Sequence, residues 1–178
     1  MLTFVRTGEL RGAQWPEFEL EKAQWRIPAE RIKMRSEHIV PLSRQALEVI
    51  RELHKLNDGR RYVYFNQADH EKPMSENTMI YALYRMGHHS RATAHGFRAT
   101  ASTILNEQGF RTDVIERQLA HVEKNKVRAA YHRAEYIAER RTMMQHCADF
   151  LDGLYTLEAD GSASTRKPRS TALIPPRG

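Results

Sequence analysis

The apolar residues recur every three or four positions over most of the chain, which is the spacing of amphipathic helices. This pattern predicts helices over the following residues: 4–12, 43–56, 75–87, 95–109, 112–119, 124–132 and 136–154. Ser43 and Thr112 are residue types that commonly cap a helix N-terminus, and Gly87 and Gly109 are typical of a helix end.

The period changes between residues 17 and 41. Here apolar residues such as Trp25 and Ile27 alternate with charged ones, and Pro28 and Pro41 mark strand ends. This segment predicts a small antiparallel sheet, so we expect a mainly α fold with a small antiparallel β-sheet (α+β). The short apolar run 62–65 fits either a strand or a buried loop.

Length and composition are those of one globular domain. The chain has 178 residues, of which 40% are hydrophobic and 28% are charged. No apolar run approaches the roughly 20 residues that a membrane helix requires. The single cysteine, Cys147, excludes an internal disulfide framework. We therefore expect a reducing, cytoplasmic setting.

The charge balance indicates a nucleic-acid partner. The chain contains 28 Lys and Arg against 22 Asp and Glu, and 21 of the 28 are arginine. Guanidinium groups bind phosphate in a bidentate manner and stay charged. The apolar pattern stops near Ala159, and we expect residues 156–178 to form a flexible basic tail.

No common cofactor or metal motif is found in the sequence. It contains no phosphate-binding glycine loop, no zinc motif and no Gly-x-Ser-x-Gly turn, so we expect neither cofactor nor metal. His95 and Arg98 share one helical face and could bind a single phosphate. His88 and Arg91 form a second such pair, but the first pair opens an amphipathic helix, where backbone N–H groups favour anions.

Further polar residues accompany this pair along the chain. Arg6 and Glu9 are three residues apart, so the carboxylate can hold the guanidinium. Lys33 lies at the expected tip of a hairpin, eight residues before Pro41. His121 follows Leu119-Ala120, and Tyr131 lies ten residues further on. Each residue taken alone also fits a purely structural role, such as a salt bridge, a solvated turn or a packed ring.

Taken in order, these residues resemble the motifs of the tyrosine recombinases, also called phage integrases. The family pattern is Arg-x-Gly/Ser-Glu-Leu, a hairpin lysine before a Val-Pro-Leu strand end, His-x-x-Arg, Leu-Gly/Ala-His and a nucleophilic Tyr. This chain has all of them between residues 6 and 131. The segments 30–35, 40–43 and 119–123 are similar to integrases of prophages and genomic islands.

The resemblance implies a metal- and ATP-independent DNA strand transferase. Arg6 and Arg98 would hold the phosphoryl oxygens, and Glu9 would support an arginine. Tyr131 would attack phosphorus and form a 3′-phosphotyrosyl intermediate. Lys33 would be the general acid, His95 would act on the tyrosine hydroxyl, and His121 would bond the phosphate. Arg11 competes with Arg6, but the Gly-Glu-Leu that follows Arg6 favours Arg6, and we expect Arg11 to face solvent or DNA. Tyr136 competes with Tyr131, but the spacing after His121 favours Tyr131.

The resemblance also implies a domain organisation and partners. We expect residues 1–155 to form the catalytic domain, lacking its first helices, with the family's N-terminal DNA-binding domains outside this sequence. The partner would be double-stranded attachment-site DNA, bound by a self-associated tetramer. Two alternatives stay open: a type IB topoisomerase-like enzyme, and a non-catalytic DNA-binding remnant of an integrase.

Overall fold

The structure is a computed structural model that describes residues 1–32, 35–121 and 136–161, the last five as backbone only. Its helices in these ranges are α1 (Thr7–Arg11), α2 (Arg44–Lys55), α3 (Thr78–Arg85), α4 (Gly96–Glu107), α5 (Thr112–Gln118) and α6 (Ile137–Gly161). Its strands are β1 (Phe18–Glu19), β2 (Gln24–Ile27) and β3 (His38–Pro41).

The strands form one antiparallel sheet in the order β1-β2-β3. Trp25 pairs with Val40 and Ile27 with His38, so β2 and β3 form a hairpin. Alternate residues of a strand point to opposite faces, and Trp25, Ile27 and Val40 are completely buried on the inner face. The alternating pattern between residues 17 and 41 therefore does correspond to a sheet with one buried face.

The described part of the chain forms two hydrophobic cores. The sheet core is formed by Val5, Ala13, Trp25, Ile27, Ile32, Val40, Leu42, Ala46 and Val63. The helical core is formed by Phe4, Ala101, Leu105, Val114, Ile115, Leu119, Met143, Met144 and Cys147. The adjacent residues Phe4 and Val5 belong to different cores. The N-terminal segment thus crosses the boundary between the cores, directly before Arg6.

The architecture confirms the mainly helical fold with a small antiparallel sheet. Residues 62–65 form a loop with isolated bridges at Tyr62 and Phe65 rather than a strand. Within the described ranges, none of the helices is both long enough and apolar enough to cross a membrane.

The last helix differs from its prediction in length. We expected it to end near Leu154, but α6 continues to Gly161 because residues 157–159, Leu-Glu-Ala, are strong helix formers. The helix therefore crosses the expected boundary between residues 155 and 156. Residues 162–178 lie outside the described residues, and the flexible tail stays a prediction there. Met143 and Met144 pack in the helical core, whereas Leu154 and Tyr155 are exposed.

Candidate active site

Arg6 is positioned by the first turn of α1, which it precedes. Its backbone N–H donates to Glu9 Oε2 at 2.8 Å, and its Nη1 lies 3.0 Å from Glu9 Oε1. Glu9 is 5% exposed, whereas the Arg6 side chain is 31% exposed. One buried carboxylate thus both caps the helix and orients the guanidinium, as the i, i+3 spacing predicts.

The end of α5 supplies the next part of the site. Ala120 has the left-handed φ of 48°, the N–H of His121 donates to Glu116 O at 3.1 Å, and that of Ala120 donates to Arg117 O at 3.2 Å. These two bonds form a Schellman cap, which ends a helix and turns the chain back on itself. The carbonyls of Leu119 and Ala120 are then left without partners in the helix.

Two arginines use these free carbonyls. Arg98 Nη2 donates to Leu119 O at 2.7 Å, and Arg6 Nη2 donates to Ala120 O at 3.0 Å. Arg98 Nη1 also donates to the carbonyl of Phe4. The C-terminal end of a helix carries partial negative charge and favours cations. The carbonyl oxygens of Leu119 and Ala120 therefore bind the guanidiniums of Arg98 and Arg6 side by side, although these residues are 92 positions apart in sequence (98 − 6).

His121 lies next to this pair of arginines. Its Nε2 is 3.5 Å from Arg98 Nη2, and its Nδ1 is 2.6 Å from Glu116 Oε2. About half of the imidazole is exposed. We use the name arginine pocket for Arg6, Glu9, Arg98, Glu116 and His121.

The electrostatics of the arginine pocket favour an anion. Burial lowers the pKa of the Arg98 guanidinium below its usual range, and the nearby positive charge of Arg6 lowers it further. Glu9 and Glu116 partly oppose this decrease. An anion bound between the two guanidiniums would offset their mutual repulsion, and a phosphoryl group offers oxygens that match their N–H donors.

The structure brings together Arg6, Glu9, Arg98 and His121 but does not show His95 among them. His95 is exposed at the start of α4, one turn before Arg98. Within the part of the chain that the structure describes, its imidazole makes no hydrogen bond. Lys33 and Tyr131 lie outside the described residues, so their positions in the site stay predictions.

The two competing residues have other partners. Arg11, which we expected to face solvent or DNA, instead donates to Met74 O at 3.1 Å and to Glu76 at 3.2 Å. Tyr136 packs against the helical core and bonds Asp113. These contacts remove both residues from the arginine pocket, because their polar groups are used elsewhere.

A buried polar network lies next to the pocket, at Gln118, and no sequence motif predicts it. Gln118 Oε1 accepts from Arg140 Nε at 2.9 Å, and Gln118 Nε2 donates to Thr3 O at 3.0 Å. Arg140 also donates to Ile39 O, and His38 Nε2 lies 3.2 Å from Gln118 O. We use the name buried network for His38, Gln118 and Arg140, all of which are 2% exposed or less.

The charge state of His38 follows from its burial. Desolvation lowers the pKa of His38 to about 3, and the positive charges of Arg140 and Arg117 contribute to the decrease. The ring is therefore neutral near pH 7, and its Nε2–H donates to the Gln118 carbonyl. Only long-range packing joins the members of this network, which is why no local spacing predicts them.

Comparison with known proteins places the chain in a family. The phage integrase family model matches residues 1–136. The integrase of Enterobacteria phage P4 is 46% identical over 168 residues, which cover 85% of this chain and 38% of that protein. Prophage integrase IntA of Escherichia coli (strain K12) is 43% identical over 151 residues, which cover 85% and 37%. The chain thus spans well under half the length of these curated relatives.

The fold agrees with the same family. The crystal structure of XerA recombinase superposes with a TM-score of 0.56 at 18% identity, covering 94% of this chain and 54% of that one. The mainly helical architecture around the arginine pocket is therefore that of a tyrosine recombinase. Together with the family match over residues 1–136, it shows that the chain belongs to the phage integrase family.

Proposed function

We propose that this chain is the catalytic part of a site-specific DNA recombinase that cuts and rejoins DNA through a covalent 3′-phosphotyrosyl intermediate. The observation that carries the proposal is the arginine pocket, in which Arg6, Arg98 and His121 meet at the end of α5. The guanidiniums of this pocket suit the oxygens of a phosphodiester. The relatives of the chain are named integrases.

The pocket would act on charge that develops during phosphoryl transfer. Negative charge builds on the non-bridging oxygens in the transition state, and fixed cations stabilise it without reorganisation. Arg6 and Arg98 would hold these oxygens, while the carbonyls of Leu119 and Ala120 keep the guanidiniums in place. His121 would add a further hydrogen bond. Glu9 would keep Arg6 oriented between turnovers.

Tyr131 would supply the nucleophile. Its hydroxyl oxygen would attack phosphorus as the proton leaves toward His95, forming the phosphotyrosyl bond and breaking the bond to the 5′-oxygen. Lys33 would donate the proton that this leaving oxygen needs. A second 5′-hydroxyl would later attack the phosphotyrosine and release Tyr131, so each step exchanges one P–O bond for another and no ATP is consumed.

Double-stranded attachment-site DNA is the proposed partner, in the bacterial cytoplasm. The net charge of +6 and the abundance of arginine favour binding to the phosphate backbone. We propose that four copies assemble on two DNA sites during strand exchange. The exposed Leu154 and Tyr155 on α6 are apolar side chains that could pack on a neighbouring copy.

A strand-exchange assay tests the proposed function. The full chain is incubated, in EDTA and without ATP, with a nicked duplex from either flank of the encoding element and with an excess of a labelled 5′-hydroxyl strand. We expect a covalent protein–DNA adduct that is converted to a joined labelled strand. Relaxation of a supercoiled plasmid without joining would indicate a topoisomerase-like enzyme. DNA binding without any adduct would indicate a non-catalytic remnant, and either result would overturn the proposal.

A further inference from the structure

Glu116 is part of the arginine pocket although it belongs to no family motif that the sequence displays. Its Oε2 lies 2.6 Å from His121 Nδ1. The two residues are five apart, a spacing that does not place side chains together on a straight helix. The Schellman cap creates the contact, because the left-handed turn at Ala120 folds His121 back beside Glu116.

The short contact determines which nitrogen of His121 carries a proton. An ionised carboxylate only accepts hydrogen bonds, so the Nδ1 atom that faces Glu116 must be a donor. The hydrogen bond at one ring nitrogen sets the role of the other. Nε2 then faces Arg98 Nη2 at 3.5 Å, and this nitrogen, not Nδ1, is presented to whatever Arg98 binds.

We infer that Glu116 is a positioning residue, which accepts a hydrogen bond from Nδ1–H of His121 and directs Nε2 toward the phosphate held by Arg98. Nε2 donates to a phosphate oxygen once it also carries a proton, and the Glu116 carboxylate offsets the charge of the imidazolium that results. This inference rests on the proposed function and adds a residue to it. Glu116 does not touch the phosphate itself. It acts through His121, as Glu9 acts through Arg6, so Arg6 and His121 each have a carboxylate partner.

The location of Glu116 argues against a role in stability alone. It lies in the second half of α5, where the helix dipole disfavours a negative charge. Its side chain is 41% exposed, and exposed ion pairs contribute little to folding. Glu116 also offsets part of the positive charge at Arg98, so these small effects oppose one another. Removing the charge should therefore change the unfolding temperature little, while the orientation of His121 is lost.

The variant Glu116→Gln tests the inference, with Glu107→Gln as its matched control. Glu107 is an exposed acid at the end of α4, outside the pocket. For Glu116→Gln we expect the single-turnover rate of adduct formation to fall about 10- to 100-fold, the usual range for a residue that orients a ligand or acid–base group. DNA affinity and the unfolding temperature should not decrease. The control should match the unaltered chain in all three measurements.

A spectroscopic measurement separates positioning from mere stability. ¹⁵N-histidine NMR of the free chain should show His121 protonated at Nδ1. In Glu116→Gln the amide can donate or accept, so the Nε2–H tautomer should appear. An unchanged tautomer, an unchanged rate, or a rate that falls only together with the unfolding temperature would overturn the inference. If the unaltered chain forms no adduct, the proposed function fails, and the NMR result still decides whether Glu116 positions His121.

Discussion

The arginine pocket and the buried network both use the same short segment, residues 118–121. On the pocket side, the carbonyls of Leu119 and Ala120 hold the buried guanidinium of Arg98 and the partly exposed one of Arg6. On the network side, Gln118 bonds Arg140 and the N-terminal segment with no access to solvent. Both sides contain arginine and histidine, so residue type does not distinguish them.

The difference lies in what surrounds each cation. In the pocket, Glu9 and Glu116 orient Arg6 and His121 from behind while leaving part of each side chain exposed. In the network, Arg140 is completely buried. A change at the partly exposed Arg6, Glu116 or His121 should therefore alter chemistry with little effect on folding, and a change in the network should do the reverse. The following predictions test this contrast.

The largest effect is expected for Arg140→Ala. The change leaves a cavity and removes donors from Gln118 Oε1 and Ile39 O. We expect the free energy of unfolding to fall by about 3–5 kcal/mol, measured by denaturant titration. The neighbouring Arg141→Ala is the control, because Arg141 is exposed and donates to Lys22 O at the surface. A similar loss in both variants would show that the network has no special structural role.

The next effect is on chemistry and concerns Arg6→Lys. A lysine keeps the positive charge beside Glu9 but lacks the planar guanidinium. That group can donate to Glu9, to Ala120 O and to a phosphate at the same time. We expect the adduct-forming rate to fall about 10²- to 10³-fold, the usual effect of losing one donor to a transition-state oxygen. Stability should change by less than about 1 kcal/mol.

Arg11→Lys is the matched control for this variant. Arg11 belongs to the same short motif but contacts Met74 and Glu76 instead of the pocket. Its substitution should leave the rate of adduct formation unchanged. If Arg11→Lys slowed adduct formation more than Arg6→Lys does, the assignment of the motif arginine would be wrong.

The third prediction concerns pH and the buried network. The pKa of His38 is about 3 in the folded chain and near 6.5 when unfolded. Between pH 6.5 and pH 3, His38 binds a proton in the unfolded chain but stays unprotonated in the folded chain. Stability should therefore be constant above that pH and fall progressively toward pH 3. The loss attributable to His38 should reach roughly 2–3 kcal/mol between pH 7 and 4.5.

Urea unfolding at several pH values measures this loss. In His38→Asn the slope of stability against pH should be smaller than in the unaltered chain, whatever its absolute stability. His88→Asn, a change at an exposed histidine, should keep the original slope. An unaltered slope in His38→Asn would mean that His38 can be protonated within the folded chain.

The smallest effect is expected at the turn between the two regions. Ala120 adopts a φ of 48°, a left-handed conformation that costs an L-residue about 1 kcal/mol or more and that glycine adopts freely. Ala120→Gly should raise the free energy of unfolding by up to about 1 kcal/mol, and the rate of adduct formation should not change. A clear loss of stability would show that the buried methyl group of Ala120 matters more than the strain.

The same contrast explains what could be predicted from the sequence. The Arg6–Glu9 contact follows from helical spacing, and the sheet follows from the alternation around Trp25 and Ile27. The motif residues His121 and Arg98 could be selected by their order along the chain. Their common acceptors could not, since the carbonyls of Leu119 and Ala120 are backbone atoms that carry no residue identity.

Contacts made by tertiary packing stayed hidden for a related reason. Glu116 meets His121 only because the chain reverses after α5, and Arg140 meets Gln118 only because α6 packs across it. Neither pair has a spacing that a single helix or strand would bring together. The order of motifs along the sequence thus predicts the side chains that would contact DNA. It does not predict the residues that hold those side chains through tertiary contacts.

The central claim is that the arginine pocket serves a tyrosine nucleophile, and the most direct test is to identify the residue that becomes linked to DNA. The adduct formed on a nicked duplex from the flank of the encoding element is digested and mapped by mass spectrometry. We expect the nucleotide on the peptide that contains Tyr131, no adduct from Tyr131→Phe, and a normal adduct from Tyr136→Phe. A nucleotide on Tyr136, or an adduct that persists in Tyr131→Phe, would contradict the claim.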